Sequence, residues 1–192
     1  MQRRHFILIP SVALVWPFTL GAARAATPSQ AEGPFYPVVD IPLKSNLIRD
    51  KQHILGQVLE LSGDVLGSHG QPMSGIRIEI WQCDAQGLYQ HPRQSNVARF
   101  DSAFRGFGAL LTDSNGQFRF TTIYPVPYNR RPPHIHVKLW QDTTELLTTQ
   151  LYLKGNTGNE WWGGSERSQL QIAPVERPDG HLDARFSFVV AT

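Results

Sequence analysis

Two histidines one residue apart, His134 and His136, stand in the run Arg131-Pro132-Pro133-His134-Ile135-His136-Val137-Lys138-Leu139-Trp140. In an extended strand successive side chains alternate faces, so both imidazoles point one way while Ile135, Val137 and Leu139 form an apolar opposite face. Two imidazoles held side by side on one rigid element are a ready pair of metal donors, histidine being the commonest protein metal ligand. A His-x-His strand also arises without any metal, as two core histidines, so the pair by itself leaves both readings open. Copper or zinc would be served by the imidazoles with nearby tyrosines merely structural, whereas a harder ion would need those tyrosine oxygens as well.

The surrounding elements present such tyrosines. Ile76-Arg77-Ile78-Glu79-Ile80-Trp81 alternates like a strand and runs through Gln82-Cys83-Asp84-Ala85-Gln86-Gly87 into a polar loop that carries Tyr89. Phe118-Arg119-Phe120 is a second alternating strand, leading to Tyr124-Pro125-Val126-Pro127-Tyr128, where two prolines stiffen the backbone and remove ladder donors. Tyr128 is thereby held close to the histidine strand. Strands are expected over residues 54–61, 76–81, 117–121, 134–140, 149–153 and 185–190, with Ser114-Asn115-Gly116 as a hairpin turn and no amphipathic helix of useful length after the N-terminal region. This pattern predicts an all-β chain, an antiparallel β-sandwich with the metal site among loops at its edge.

These residues resemble the intradiol ring-cleavage dioxygenases, in particular the catalytic-subunit branch of the protocatechuate 3,4-dioxygenases. The resemblance runs from Thr27 to about Gly155 and rests on Glu32-Gly33-Pro34-Phe35-Tyr36-Pro37, Trp81-Gln82 with Gly87-Leu88-Tyr89, and Leu111-Thr112-Asp113 with Gly116. It continues through Thr122-Ile123-Tyr124-Pro125 with Pro127-Tyr128, and Arg131-Pro132 with His134-Ile135-His136, all in the family's order. It implies a non-haem Fe(III) held by Tyr89, Tyr128, His134 and His136. In that pattern Tyr128 is the axial tyrosinate that substrate displaces and His136 lies opposite, with Tyr89 and His134 equatorial. It also implies Arg131 against the bound catechol ring and Gln150 near the substrate. The implied reaction joins a catechol with O2 and cleaves the ring between the hydroxyls to a cis,cis-muconate-type product.

The chemistry agrees with that implication. Ferric ion is a hard cation, and two phenolates, whose free pKa is about 10, ionise on coordination and stabilise the ferric state. A guanidinium fixed beside the ring would stabilise charge that builds on carbon as oxygen adds. The competing class is a sandwich that carries a catechol or a metal without turnover, since such folds host many functions. Tyr124, before Pro125, reads as a packing residue, and His5, His53, His69, His91 and His181 read as solvated. Trp161 and Trp162 are open between a lid, a subunit contact and loop packing.

At the N-terminus Arg3-Arg4-His5-Phe6-Ile7-Leu8 opens an apolar run that closes on Ala23-Arg24-Ala25, a small-x-small cleavage pattern. The paired arginines followed by Phe6 and Ile7 look like a twin-arginine export signal, although an ordinary secretory signal or an uncleaved anchor has a similar outline. Pro10 and Pro17 interrupt the run and argue against a stable spanning helix. The expectation is an export signal over residues 1–25 and one sandwich domain over residues 26–192, placed in the periplasm or outside the cell. One cysteine, Cys83, leaves no intramolecular disulfide to stabilise an exported chain and reads as a packed thiol. With 41% hydrophobic residues, a net charge of +2 and no basic stripe interleaved with aromatics, the composition is ordinary globular and argues against a nucleic-acid partner. Gly33-Pro34-Phe35-Tyr36 is also similar to the start of that family's non-catalytic partner subunit. A self-sufficient homo-oligomer and an assembly with a partner subunit both stay open.

Overall fold

Alternating apolar residues are what one half-buried sheet face demands, and this chain uses them to build two sheets whose apolar faces meet. The computed structural model describes residues 23–155 and 164–191. In chain order the strands are β1 (Val58–Gly67), β2 (Arg77–Trp81), β3 (Phe107–Leu111), β4 (Gln117–Ile123), β5 (His134–Gln141), β6 (Thr144–Leu153), β7 (Gln171–Ile172), β8 (Val175–Glu176) and β9 (Leu182–Val190). One sheet has the order β4-β1-β9-β8 and the other β3-β2-β5-β6-β7. Leu59, Leu61 and Val65 of β1, with Phe120 and Phe188, pack across the seam against Ile78, Ile80, Ile135, Val137, Leu139 and Leu151. Each such side chain contributes roughly 1.5–3 kcal/mol on burial, so this seam holds the fold without a covalent tie. Cys83 is indeed free and buried.

The sandwich is all-β as expected, but its sheets are mixed rather than purely antiparallel: β1 and β9 run parallel, as do β6 and β7. Alternation in sequence says which residues share a face and nothing of the direction in which a distant strand arrives. β1 also runs on past Ser62-Gly63-Asp64, a turn-like triplet at which a sequence reading ends the strand. Gly63 is there because a Cβ would lie 1.7 Å from the Phe186 carbonyl oxygen of β9. The glycine permits close pairing instead of breaking the strand. Ser114-Asn115-Gly116 does turn, with Asp113 accepting from the Asn115 and Gln117 amides at 2.8 Å each. It is not a hairpin, because β3 pairs with β2 and β4 with β1, so the turn is a corner between sheets. β3, which begins directly after the Gly106 turn, was not expected from its pattern.

β5 is the centre of the functional half. Its inner face, Ile135, Val137 and Leu139, is core, yet its outer residues His134, His136 and Lys138 are also buried. Register brings Trp81 of β2 opposite His136, Glu79 opposite Lys138, and from β6 Gln150 opposite His136 and Tyr152 opposite His134. The cover over this outer face is the segment preceding β1. Gln30 donates its amide to Thr148 O (2.8 Å), Thr149 Oγ1 donates to Pro28 O (2.7 Å), and Tyr36 donates its hydroxyl to Glu79 (2.7 Å). Most of the apolar N-terminal run, with Arg3 and Arg4, lies outside the described residues. Among the described residues no helix is long and apolar enough to cross a membrane.

Gly63→Ala should lower stability by about 3 kcal/mol or more, because the new methyl group collides with backbone rather than with an adaptable side chain. Equilibrium denaturation checks this; a loss below about 1 kcal/mol would mean that β9 is free to move away.

Candidate metal centre

The two histidines are fixed in different ways. His134 Nδ1 lies 2.7 Å from Pro132 O, a contact that requires the proton on Nδ1 and leaves Nε2 as a bare donor. That Nε2 faces His136 Nε2 at 3.2 Å. The His136 ring stacks on Trp81, with centroids 4.8 Å apart and planes 10° from parallel, and its buried Nδ1 makes no hydrogen bond. Burial, with the Arg131 charge added, holds the His134 imidazolium down at about 3. Burial, His134 and Arg131 together hold His136 well below the ordinary histidine value. Both rings are therefore neutral near pH 7, the form a metal binds.

Tyr89 arrives from a loop built by Asp84, whose carboxylate accepts from the Gln86 and Leu88 amides (2.9 Å each) and from Asp101 N (2.9 Å), with Gly87 at φ 78°. Tyr89 is only 2% exposed, and its buried hydroxyl makes no hydrogen bond. Burial and the neighbouring Tyr128 phenolate charge push its pKa well above the usual tyrosine value, so ionisation waits on a nearby cation. Tyr128 follows Pro127 and begins a tight turn in which Asn129 (φ 44°) and Arg130 (φ 66°) take left-handed backbone and Arg131 N returns to Tyr128 O at 2.7 Å. That turn sets Tyr128 beside both other rings, 5.1 Å from Tyr89 and 5.4 Å from His134 between centroids. It also sets Arg131 next to the site. Arg131 donates to the Tyr128 hydroxyl at 3.3 Å and to Gln150 Oε1, while Gln150 Nε2 donates to Ala31 O at 2.7 Å.

All six sequence-designated residues, Tyr89, Tyr128, Arg131, His134, His136 and Gln150, thus gather at one end of the outer face of β5 and β6. Beside them opens a cavity of about 460 Å³, lined by Gln30, Pro34, Phe35, Tyr128, Arg131 and Tyr152 among others, a volume suited to a small aromatic molecule. Among the described residues no three His, Cys, Asp or Glu side chains group to hold a metal, so an ion here must draw oxygens from phenols. Two facing imidazole nitrogens, a partnerless buried phenol and a second phenol on the cavity wall are a donor set for a hard trivalent ion. The residues fit ferric iron.

Other side chains behave differently from their sequence reading. His91 is not solvated: it is 4% exposed, set edge-on to Phe35 (5.7 Å) and bonded through Nδ1 to Arg93 N, because the chain folds back directly after Tyr89. His53 and His69 are exposed, and Tyr124 packs against the main core. Trp161 and Trp162, like His5, lie outside the described residues. Tyr152, Phe35 and Gln30 were missed as cavity residues. Tyr152 had a signal, since it stands two residues after Gln150 and so shares its strand face, whereas Phe35 and Gln30 reach the site only by tertiary docking.

A family model described as dioxygenase matches residues 31–131, which include Tyr89, Tyr128 and Arg131 and stop short of the histidines. Fold, donor set and this match define the class as β-sandwich dioxygenases. The chain belongs, within that class, to the intradiol dioxygenase family. It is similar to the protocatechuate 3,4-dioxygenase beta chain of Burkholderia cepacia, 35% identical with 62% of this chain and 53% of the relative covered. It is also similar to the catechol 1,2-dioxygenase of Acinetobacter baylyi, 30% identical over 80% of this chain and 55% of that one. The chain thus spans about half the length of the curated relatives it matches. Among solved structures, the dioxygenase domain of a dioxygenase and carbohydrate-binding fusion protein from Streptomyces sp. SirexAA-E superposes with a TM-score of 0.71 at 28% identity, covering 88% of this chain and 99% of that one. An intradiol ring-cleavage dioxygenase from Tetranychus urticae shares the fold, with a TM-score of 0.70 at 21% identity and coverage of 88% and 95%.

Cys83 sits in the same aromatic cluster as Trp81 and Tyr89, and burial pushes its thiol up to about 12. At pH 8 the folded protein should therefore give no reaction with a thiol reagent, while denatured protein should titrate one equivalent. Rapid labelling of the folded chain would show that this cluster opens.

Proposed function

We propose that the protein is a non-haem Fe(III) intradiol dioxygenase that cleaves a catechol between its two hydroxyls, with both atoms of O2 entering a cis,cis-muconate-type product. The observation that carries this reading is the convergence of Tyr89, Tyr128, His134 and His136 beside a cavity that also holds Arg131. Ferric iron held by these four residues would supply the Lewis acidity that favours a catechol as its dianion.

The chain's own groups divide the remaining work. Tyr89 is enclosed, whereas Tyr128 is half-buried on the cavity wall, so Tyr128 is the ligand placed to meet substrate, and its oxygen, a phenolate when the metal is bound, would take a catechol hydroxyl proton and become the phenol. Arg131, anchored by Gln150 and hydrogen-bonded to the Tyr128 hydroxyl, puts a fixed positive charge where the ring would lie. It stabilises charge developing on the ring carbon. Gln150 positions Arg131 and ties the cavity rim at Ala31. Pro34 and Phe35 form an apolar wall that limits water. The paired arginines at the start of the chain support export of the folded protein to the periplasm or beyond, consistent with iron loading before translocation.

Iron-loaded protein should be red-brown from tyrosinate charge transfer, and with catechol and ¹⁸O2 it should yield a muconate carrying both labels. A coloured protein that binds catechol without consuming O2 is a carrier, and a colourless zinc protein removes the ferric assignment. Arg131→Gln should keep iron, colour and the catechol-induced spectral shift while losing at least about tenfold in turnover, equivalent to roughly 1.4 kcal/mol of transition-state stabilisation. Unchanged decay of the catechol complex on single-turnover mixing with O2 would return Arg131 to a structural role.

Replacing Arg3 and Arg4 together by lysine should leave precursor in the cytoplasm. Export at the normal level, read by fractionation, would exclude the twin-arginine route.

A further inference from the structure

The four ligand side chains are oriented by two unlike means. His134 is held by the Pro132 carbonyl and Tyr128 by Arg131. Tyr89 and His136 have no such hydrogen bond, although metal-binding residues ordinarily take their orientation from one. Flat ring contacts stand in its place. Phe35 stacks on the Tyr89 phenol, with centroids 4.6 Å apart and planes 19° from parallel, and Trp81 stacks on His136. Trp81 is covered in turn by the edge of Tyr36, 5.0 Å away at 84°. The first contact is made by one short strap, residues 30–36, which belongs to neither sheet, and the second, set by the register of β2 and β5, is covered by that strap.

The strap is pinned on each side of Phe35 to adjacent residues of β2 and β5. The Glu32 carboxylate pairs with Lys138, whose ammonium also lies over the Tyr36 ring at 4.3 Å. The Tyr36 hydroxyl donates to Glu79, a carboxylate that accepts from Trp140 Nε1 (2.9 Å) and Arg77 Nε (2.7 Å) as well. Lys138 and Glu79 face each other in register, next to the His136 and Trp81 pair. Between the two pins Gly33 takes φ +79°, and a Cβ there would stand 3.2 Å from His136 Cε1, so the strap backbone itself closes on the imidazole.

We infer that Phe35 is a positioning residue for Tyr89, and that the Glu32–Lys138 and Tyr36–Glu79 contacts are latches that keep the strap on the ligand set and so govern how long the metal is retained. This rests on the ferric reading of the site. Glu32 is the informative latch, because Lys138 retains a second carboxylate, Glu145 at 3.4 Å, when Glu32 is lost. Glu32→Gln therefore frees the strap without leaving a buried unpaired ammonium.

The test measures iron release from the full chain to a strong chelator, the energy of the charge-transfer band, and hydrogen exchange of the Gln30 amide in iron-stripped protein. Phe35→Leu should release iron at least tenfold faster and shift the band, while Phe35→Tyr, which keeps the ring, restores both. Glu32→Gln and Tyr36→Phe should accelerate Gln30 exchange even without iron and hasten iron release, with the melting temperature of the stripped protein nearly unchanged. Wild-type release and band position in Phe35→Leu, or wild-type Gln30 exchange in both latch variants, would overturn the inference while leaving the ferric reading intact. A wild-type chain that takes up no ferric ion and stays colourless would instead overturn the ferric reading.

Discussion

Donor atoms without protein partners, enclosed at one end of a sheet, are the constraint around which this molecule is arranged. The Tyr89 hydroxyl and His136 Nδ1 are buried and unbonded, and two Nε2 atoms face each other at 3.2 Å. An unsatisfied buried polar group costs about 1–3 kcal/mol, and several in one place would be selected against unless something else satisfied them. The same burial keeps both imidazoles neutral and the Tyr89 phenol unionised in the absence of a cation. A hard cation at this place would reverse that balance, since it would stabilise phenolate oxygens and accept the facing Nε2 lone pairs together.

The sandwich provides the rigidity this arrangement requires. β5 is core on one face and site on the other, so displacing His134 or His136 would disturb Ile135 and Val137 within the packed seam. Register does the rest: β2 supplies Trp81 behind His136, and β6 supplies Gln150 and Tyr152 beside the histidines. The tyrosines come from loops, yet neither loop is slack. Asp84 closes one with three backbone hydrogen bonds, and a two-residue left-handed turn closes the other while delivering Arg131 to the Tyr128 hydroxyl.

The outer face of this sheet would ordinarily be solvated. Here it carries a buried row of aromatic and charged residues because the segment before β1 lies across it. Lys138 and Glu79 look in sequence like surface residues of alternating strands; in the fold they are anchor points. The strap converts an open sheet face into a cavity wall, so the site joins a stiff half, β5 with its turn, to a half whose contacts are stacking and ion pairing.

Local pattern was enough to recognise most of the strands, the paired histidines and the tyrosine-bearing loops, because each depends on spacing within a few residues, whereas Arg131 and Gln150 came only with the family resemblance. His134 and His136 share a face by the period of a strand, and the prolines around Val126 stiffen the approach to Tyr128 whatever lies beyond. The β3 strand, the continuation of β1 through Gly63, the parallel entry of β9 and the corner at Asn115 were decided by pairing across long stretches of chain. So were the burial of His91 and the placing of Phe35, Gln30 and Tyr152 around the cavity. Residue types and local spacing thus determined which donor side chains this protein offers. Only tertiary structure decided that they meet, which rings hold them and how far water is kept out, since register, strand direction and strap docking are set by the packing of residues distant in sequence.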